Sequence, residues 1–237
     1  MTRQTGPRPK GLIIAVDGPS GSGKSTIARL LAKKLGYIHI DTGAMYRATA
    51  LAAKRAGISV NDEKLLGKLC NGLSISFSSS GGELRLLMNG EDISDAIRTP
   101  ELSLLSSAVS AVKSVRESLL NRQRKMGLAG GVVLEGRDIG TVVFPEADVK
   151  FFLTASAQER GRRRYLELKA RGEDVTLEGT VAEVARRDAQ DEQREHAPLR
   201  RATDAVIIDS TGLSIDEVLA VMVNEVRVRL KNEGYAD

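Results

Sequence analysis

Residues Gly18 to Thr26 read GPSGSGKST and directly follow an apolar run, Leu12 to Asp17, that reads LIIAVD. A glycine, four residues and then Gly-Lys-Ser form the pattern of a phosphate-binding loop when the loop lies between a strand and a helix. The apolar run predicts a buried parallel strand, and residues Ile27 to Gly36 predict a helix that ends at a glycine C-cap. The sequence therefore predicts a loop that binds the polyphosphate of a nucleoside triphosphate.

The residues of this loop have separate predicted roles. Its glycines let the backbone turn N–H groups toward phosphate oxygens, and the helix N-terminus adds the positive end of its dipole. Lys24 is expected to reach the terminal phosphates, and the Ser25 hydroxyl is expected to ligate Mg²⁺. The predicted nucleotide-binding residues are those of the whole loop: Gly18, Pro19, Ser20, Gly21, Ser22, Gly23, Lys24, Ser25 and Thr26.

The composition of the chain argues against several classes of protein. With 237 residues, 41% of them hydrophobic, the chain can bury the core of one domain, with or without insertions. A net charge of only +4 and an aromatic content of 3% argue against a nucleic-acid-binding surface. Because Cys70 is the single cysteine, we expect a reducing, cytoplasmic setting. No apolar run is long enough to span a membrane, and residues 1–10 predict a flexible polar tail.

Strands and helices alternate along the rest of the chain. Apolar runs at 37–41, 132–134, 149–153 and 205–209 predict four more parallel strands. Together with the first strand they predict a three-layer α/β fold, a five-stranded parallel sheet flanked by helices in a single domain over 11–237. Acidic and basic residues follow several of these strands, at the edge of the sheet where such folds bind ligands: Asp17, Asp41, Glu135, Arg137 and Asp138.

The segment at 62–110 departs from this alternation. Residues 73–77 and 84–88 predict antiparallel strands joined by a turn at 78–82, and Asn89-Gly90 is a strong hairpin signal. We therefore predict a small antiparallel insert. Helices are predicted from Thr42 to about Arg55, from Glu101 through Arg122, and from Ser214 onward.

Two arginine-rich stretches predict a site for a second anion. Arg160, Arg163 and Arg164 lie on one predicted helix, and Arg187, Asp191 and Arg194 share one face of another. Adjacent guanidinium groups repel one another unless an anion lies between them, and arginine is well shaped to bind phosphate. Arg162, Arg171 and Arg186 are interpreted as surface residues.

Four segments together resemble the bacterial cytidylate (CMP) kinases. They are GPSGSGKST, DTGAMYR at 41–47, EGRDIGTVVFP at 135–145 and RRDAQDEQR at 186–194, and the resemblance extends over nearly the whole chain. It implies a P-loop nucleoside monophosphate kinase that transfers the γ-phosphoryl group of ATP to CMP or dCMP with Mg²⁺. Two departures are Thr42, where some members have Ser, and Gln190 and Glu192, where some relatives carry arginine.

The resemblance also implies roles for individual residues. Lys24, Arg137, Arg187 and Arg194 would be catalytic, and the antiparallel insert at 62–110 would bind substrate. The lid, at about 158–198, would close on ATP with Arg160, Arg163 and Arg164. The residues implied to bind the monophosphate substrate are Thr42, Arg47, Ser107, Arg116, Arg137, Asp138, Arg187, Asp191 and Arg194. A monomer acting on small molecules is expected, with no nucleic-acid or membrane partner.

Three alternatives remain open from the residues alone. A P-loop kinase could act on another small acceptor such as AMP, UMP or shikimate. An ATP-dependent nucleic-acid-binding protein could use the arginines on a phosphate backbone, although the small net charge and few aromatic residues count against it. A nucleotide-binding regulator without catalysis would leave the arginine face without a purpose.

Overall fold

The computed structural model describes residues 10–80 and 83–232. The strands are β1 (Ile13–Asp17), β2 (Ile38–Asp41), β3 (Ile75–Ser80), β4 (Glu83–Met88), β5 (Glu91–Asp92), β6 (Val132–Gly136), β7 (Val149–Thr154) and β8 (Val206–Asp209). The helices are α1 (Lys24–Leu35), α2 (Thr42–Arg55), α3 (Glu63–Gly72), α4 (Pro100–Ala111), α5 (Lys113–Gly127), α6 (Ala157–Ala170), α7 (Leu177–Gln193) and α8 (Ile215–Asn232). Residues 1–9 of the predicted tail and residues 81–82 of the predicted turn lie outside the described residues.

The predicted five-stranded parallel sheet is confirmed, with strand order β2-β6-β1-β7-β8. Strand β1 lies at its centre, where Ile14 is paired with Val133 of β6 on one side and Val149 of β7 on the other. All five residues of β1 are buried, as expected for a strand covered on both faces. The carboxyl end of this central strand leads directly into the phosphate-binding loop.

Two compact units divide the described chain: residues 10–39 with 127–232, and Ile40–Met126. The first contains β1, β6, β7 and β8, and its core joins apolar residues of the sheet to helices α1 and α8, with Ile14, Leu31 and Met222 fully buried. Strand β2 begins in the first unit and ends in the second.

The second unit contains helices α2 to α5 around its own core, in which Met45, Leu66 and Leu119 are fully buried. Its three-stranded sheet, β3-β4-β5, confirms the predicted antiparallel strands. Asn89 and Gly90 connect β4 to β5 with φ of 52° and 85°, the left-handed pair that a tight hairpin turn requires.

One helix prediction is wrong in its continuity. The sequence predicts helical structure from Glu101 through Arg122, but the structure divides this stretch into α4 and α5 at Val112, whose φ and ψ are −75° and 120°. A β-branched residue costs little in such an extended conformation, so the chain can turn there.

Candidate active site

The phosphate-binding loop depends on glycine at positions where no side chain fits. Gly18 has φ of 149°, and a Cβ there would lie 2.0 Å from the carbonyl oxygen of Leu153 in β7. Gly21 has φ of 74°, and its Cβ would lie 2.8 Å from the carbonyl oxygen of Arg160. Helix α1 begins within the last three residues of the loop, at Lys24, so its first N–H groups have no acceptor within the helix. The loop and the helix end therefore have the strand–loop–helix geometry that the sequence predicts, and the binding of an anion there stays a prediction.

Lys24 is held inside the loop. Its side chain is buried, and Nζ donates to the carbonyl oxygen of Pro19 at 2.6 Å and to Oγ of Ser22 at 3.3 Å. Burial is the main cause that lowers the pKa of Lys24 well below its ordinary value, and the positive charges of Arg137 and Arg187 lower it further. These cations are thus close enough to repel one another, and a bound anion would relieve that repulsion.

Ser25 contacts an acidic residue of the neighbouring strand. Its Oγ donates to Oε2 of Glu135 at 2.7 Å, and Oε1 of the same carboxylate lies 2.9 Å from Nε2 of His39 in β2. Glu135 is buried in β6. Sequence reasoning placed Glu135 at the sheet edge but gave it no role, and it assigned none to His39. The adjacency of β6 and β1 is the signal that could have joined Glu135 to Ser25.

Near the C-terminal end of α7, the buried carboxylate of Asp191 contacts two of the predicted arginines. Asp191 accepts a hydrogen bond from Nε of Arg137 at 2.8 Å, and its second oxygen lies 3.8 Å from Nη1 of Arg194. Burial would raise the pKa of Asp191, but the charges of Arg137, Arg194 and Arg187 lower it below its ordinary value. Burial would likewise lower the pKa of Arg137, and Asp191 raises it instead. The structure therefore brings together the four charged residues predicted from two separate segments, with Arg194 just past the end of α7.

Asp17 and Asp138 lie beside this group. Asp17, at the end of β1, accepts hydrogen bonds from the backbone N–H groups of Ile139 and Gly140 at 2.8 and 2.7 Å. Burial raises the pKa of Asp17 to about 7; the two N–H groups oppose this, and the charge of Asp138 adds to it. Both carboxyl groups are buried. Asp17 thereby fixes the backbone that follows Arg137 and Asp138, a role that sequence reasoning did not assign.

Helices α6 and α7 contact the loop through residues of which only some were predicted. Arg160 is buried, donates from Nη1 to the carbonyl oxygen of Ser20 at 3.0 Å and pairs with Asp188 of α7. Asp188 also accepts from the N–H of Ser20 at 3.3 Å. No sequence signal singled out Asp188, which lies far from Ser20 along the chain.

The other two arginines of α6 that are predicted to belong to the lid, Arg163 and Arg164, differ from Arg160 and from each other. Arg163 donates from Nη1 to the carbonyl oxygen of Ser22 at 3.5 Å and to Oγ of Ser210 at 2.9 Å. Arg164 pairs with Glu167 of its own helix at 2.9 Å. The closing motion predicted for this segment stays a prediction.

The second unit carries the remaining predicted substrate residues. Thr42 is buried at the start of α2, where Arg47 pairs with Asp41 at 2.7 Å. Among the described residues, Nε of Arg47 is buried without a hydrogen-bond partner. Arg116 of α5 lies 5.6 Å above the ring of Tyr46 and donates to the carbonyl oxygen of Ser110 at 3.1 Å. Ser107 lies one turn before Ser110 and accepts its hydroxyl proton at the backbone carbonyl, at 2.8 Å. Within this unit, Ser107 and Arg116 are therefore linked through Ser110.

Comparisons with known proteins agree with the resemblance found in the sequence. The family model described as cytidylate kinase matches residues 14–228. A cytidylate kinase from Citrifermentans bemidjiense is 64% identical over 223 residues, which cover 94% of this chain and 96% of that protein. One from Geobacter sulfurreducens is 66% identical over 220 residues, covering 93% of this chain and 94% of that protein.

Among solved structures, an uncharacterized protein from Eubacterium ventriosum matches with a TM-score of 0.51 and 12% identity. The match covers 92% of this chain and 98% of that one. At this level of identity the likeness concerns the fold alone. Separately, no helix in the described part of the chain combines the length and the apolar character needed to cross a membrane.

Proposed function

Because the chain belongs to the cytidylate kinase family, we propose that it transfers the γ-phosphoryl group of ATP to CMP and dCMP, yielding CDP and dCDP. The observation that carries this proposal is the set of cations around the phosphate-binding loop. The charges of Arg137 and Arg187 lower the pKa of Lys24, and two buried carboxylates, Glu135 and Asp191, partly offset this positive charge. Such a cluster fits a pair of phosphate groups that supply the missing negative charge.

The loop is proposed to hold the triphosphate of ATP. The N–H groups at the start of α1 and the ammonium of Lys24 would neutralise its oxygens, and Arg163 is proposed to act from the lid side. Support comes from the contacts of Arg160 and Arg163 with loop carbonyl oxygens of Ser20 and Ser22. Arg164, which pairs with Glu167, is proposed to reach ATP only after that ion pair opens.

The residues present fit a magnesium ion carried by the nucleotide. The Ser25 hydroxyl donates a hydrogen bond to Glu135, so its lone pairs remain for a cation. Mg²⁺ bound there would supply positive charge to the phosphate oxygens of ATP. Ser25 is the residue proposed to hold it.

Two groups of residues, one from each unit, are proposed to bind the acceptor nucleotide. In the first unit these are Arg137, Asp138, Arg187, Asp191 and Arg194. In the second unit they are Thr42, Arg47, Ser107 and Arg116. Asp191, Ser107 and Arg116 are proposed to recognise the cytosine edge. The Nε of Arg47, which is buried without a hydrogen-bond partner, supports the proposal that Arg47 donates a hydrogen bond to an oxygen of the bound nucleotide.

Catalysis is proposed to rest on positioning and charge. A monophosphate dianion is already a nucleophile at neutral pH, so no general base is required. Alignment of the two nucleotides can lower the barrier by about 7–11 kcal/mol in favourable cases. Lys24, Arg137, Arg187 and Arg194 would spread positive charge over the transferring group during an in-line displacement.

An acceptor-specificity assay tests this function. ATP consumption is measured with CMP, dCMP, UMP and AMP in turn, with Lys24→Ala as the inactive control. We expect turnover with CMP and dCMP to exceed that with UMP or AMP. A clear preference for AMP would overturn the choice of acceptor, and unchanged turnover in Lys24→Ala would overturn the role of the loop. We also propose a cytoplasmic monomer, which size-exclusion chromatography checks for its oligomeric state.

A further inference from the structure

Both oxygens of one buried carboxylate are engaged next to the phosphate-binding loop. Oε2 of Glu135 accepts the Ser25 hydroxyl at 2.7 Å, and Oε1 lies 2.9 Å from Nε2 of His39. The side chains of His39 and Glu135 are only 13% and 5% exposed, so neither pairing is a solvated surface contact. Ser25, Glu135 and His39 therefore form one continuous chain of hydrogen bonds within the first unit.

The direction of each bond in this chain follows from the groups present. A serine hydroxyl has one proton and two lone pairs, and a carboxylate can only accept. Ser25 therefore donates to Glu135, which directs its lone pairs away from the carboxylate. Since the carboxylate oxygen Oε1 can only accept, the hydrogen bond between Oε1 and His39 requires that Nε2 carries the hydrogen.

The orientation of the Ser25 lone pairs thus depends on where the Glu135 carboxylate lies. A glutamate side chain has several rotatable bonds, so loss of the hydrogen bond at Oε1 would give the carboxylate more freedom to change its position. The contact with His39 holds the far oxygen and limits that movement. Groups that orient a metal ligand in this way commonly change metal affinity by about 10–100-fold when removed.

We propose that His39 is a positioning residue that acts through Glu135 to orient the Ser25 hydroxyl, and thereby sets the affinity of the loop for magnesium-bound nucleotide. The inference rests on the proposed function only in requiring that the loop binds ATP with a divalent cation. It does not depend on the identity of the acceptor.

Calorimetric titration with the non-hydrolysable β,γ-imido analogue of ATP tests this, once with MgCl₂ and once with EDTA. His39→Leu fills much of the same space but cannot donate a hydrogen bond to Glu135. His39→Gln instead places an amide N–H near the same carboxylate oxygen. We expect His39→Leu to weaken binding of the magnesium-loaded analogue about tenfold and to leave metal-free binding unchanged. His39→Gln should retain most of the wild-type affinity.

A double-mutant cycle identifies the route of the effect. In a Ser25→Ala background, His39→Leu should cause no further loss of magnesium-dependent binding. Should His39→Leu not yield folded protein, His39→Asn replaces it, since its shorter amide does not reach Oε1 and the same selective loss is expected.

Three results would overturn the inference. They are unchanged binding in His39→Leu, an equal loss with and without magnesium, which indicates a merely structural role, and an undiminished effect in the Ser25→Ala background. CMP turnover, measured on the same wild-type sample, keeps the two proposals apart. Magnesium-selective binding without CMP turnover would contradict the proposed function alone.

Discussion

Asp188 of α7 and Arg160 of α6 form a buried ion pair that holds the backbone of Ser20 from both sides. The carboxylate accepts the Ser20 N–H at 3.3 Å, and the guanidinium donates to the Ser20 carbonyl oxygen at 3.0 Å. Helix α7 also carries Arg187 and Asp191. The part of the phosphate-binding loop at Ser20 is therefore tied to the helix that carries Arg187, proposed for phosphoryl transfer, and Asp191, proposed for substrate binding.

Replacing Asp188 with alanine should loosen this connection. A buried guanidinium would lose its partner, which typically costs about 3–5 kcal/mol of the free energy of unfolding. ATP affinity should fall as well, because the Ser20 N–H loses its acceptor and Arg160, which donates to the Ser20 carbonyl oxygen, loses the carboxylate that positions it. Glu192→Ala, at an exposed position of the same helix, should change stability by no more than about 0.5 kcal/mol. Urea unfolding and ATP titration measure both effects, and equal behaviour of the two variants would count against the connection.

A side chain at Gly18 should be far more costly than one at Gly36. Both have positive φ, but the new Cβ at Gly18 would lie 2.0 Å from a backbone oxygen of β7, whereas at Gly36 nothing lies within 4 Å. We expect Gly36→Ala to cost about 1–2 kcal/mol from backbone strain alone. Gly18→Ala should cost about 3 kcal/mol or more and abolish ATP binding. Urea unfolding of the two variants compares them directly, and similar losses would contradict the close approach.

Arg187→Ala should separate turnover from ATP binding. Arg187 lies near Lys24 and Asp191, so its removal takes positive charge from the proposed transfer site. Loss of one such group typically lowers kcat by about 10²–10³-fold. Binding of ATP should change little, and the exposed neighbour Arg186 provides the matched control in Arg186→Ala. Steady-state kinetics with CMP measures this effect. A kcat of Arg187→Ala equal to that of Arg186→Ala would exclude Arg187 from the mechanism.

Asp191→Asn tests the proposed contact with cytosine. The substitution removes the charge that pairs with Arg137 and Arg194, so these guanidinium groups should repel one another more strongly. We expect the KM for CMP to rise by at least about tenfold, from the loss of one charged partner. The preference for CMP over UMP should also narrow. If KM rises but the preference is unchanged, Asp191 organises the arginines without contacting the base.

The pH dependence of the free energy of unfolding should show the raised pKa of Asp17. Its pKa rises from 3.8 to about 7 in the folded protein, chiefly because burial disfavours the charged form. A raised pKa means that the contribution of Asp17 to stability is complete below pH 3.8 and is lost as the pH approaches 7. The free energy of unfolding of the wild type, relative to that of Asp17→Asn, should therefore be smaller at about pH 7.5 than at about pH 4.5. Urea unfolding at both values measures it, and a rising difference would contradict the shift.

Much of the fold follows from short stretches of sequence. The apolar run before Gly18 predicts the central strand, and the glycines of the loop predict the turn into α1, because these conformations depend on immediate neighbours. Asn89-Gly90 likewise determines its hairpin locally. Arg187 and Asp191 could be predicted to share a helix face because that needs only helical periodicity.

The pairing of charges could not be predicted in this way. Asp188 lies 168 positions from Ser20, and Glu135 lies 110 positions from Ser25. Such partners meet only when the parallel strands and their crossover helices have packed together and closed long loops. Nothing in the local sequence distinguishes Asp188 or Glu135 from the other acidic residues as the partner. The sequence by itself determined that this protein has a phosphate-binding loop between a buried strand and a helix. Only the tertiary structure decided which carboxylate orients Ser25 and which supports Ser20, because those choices depend on packing between elements distant along the chain.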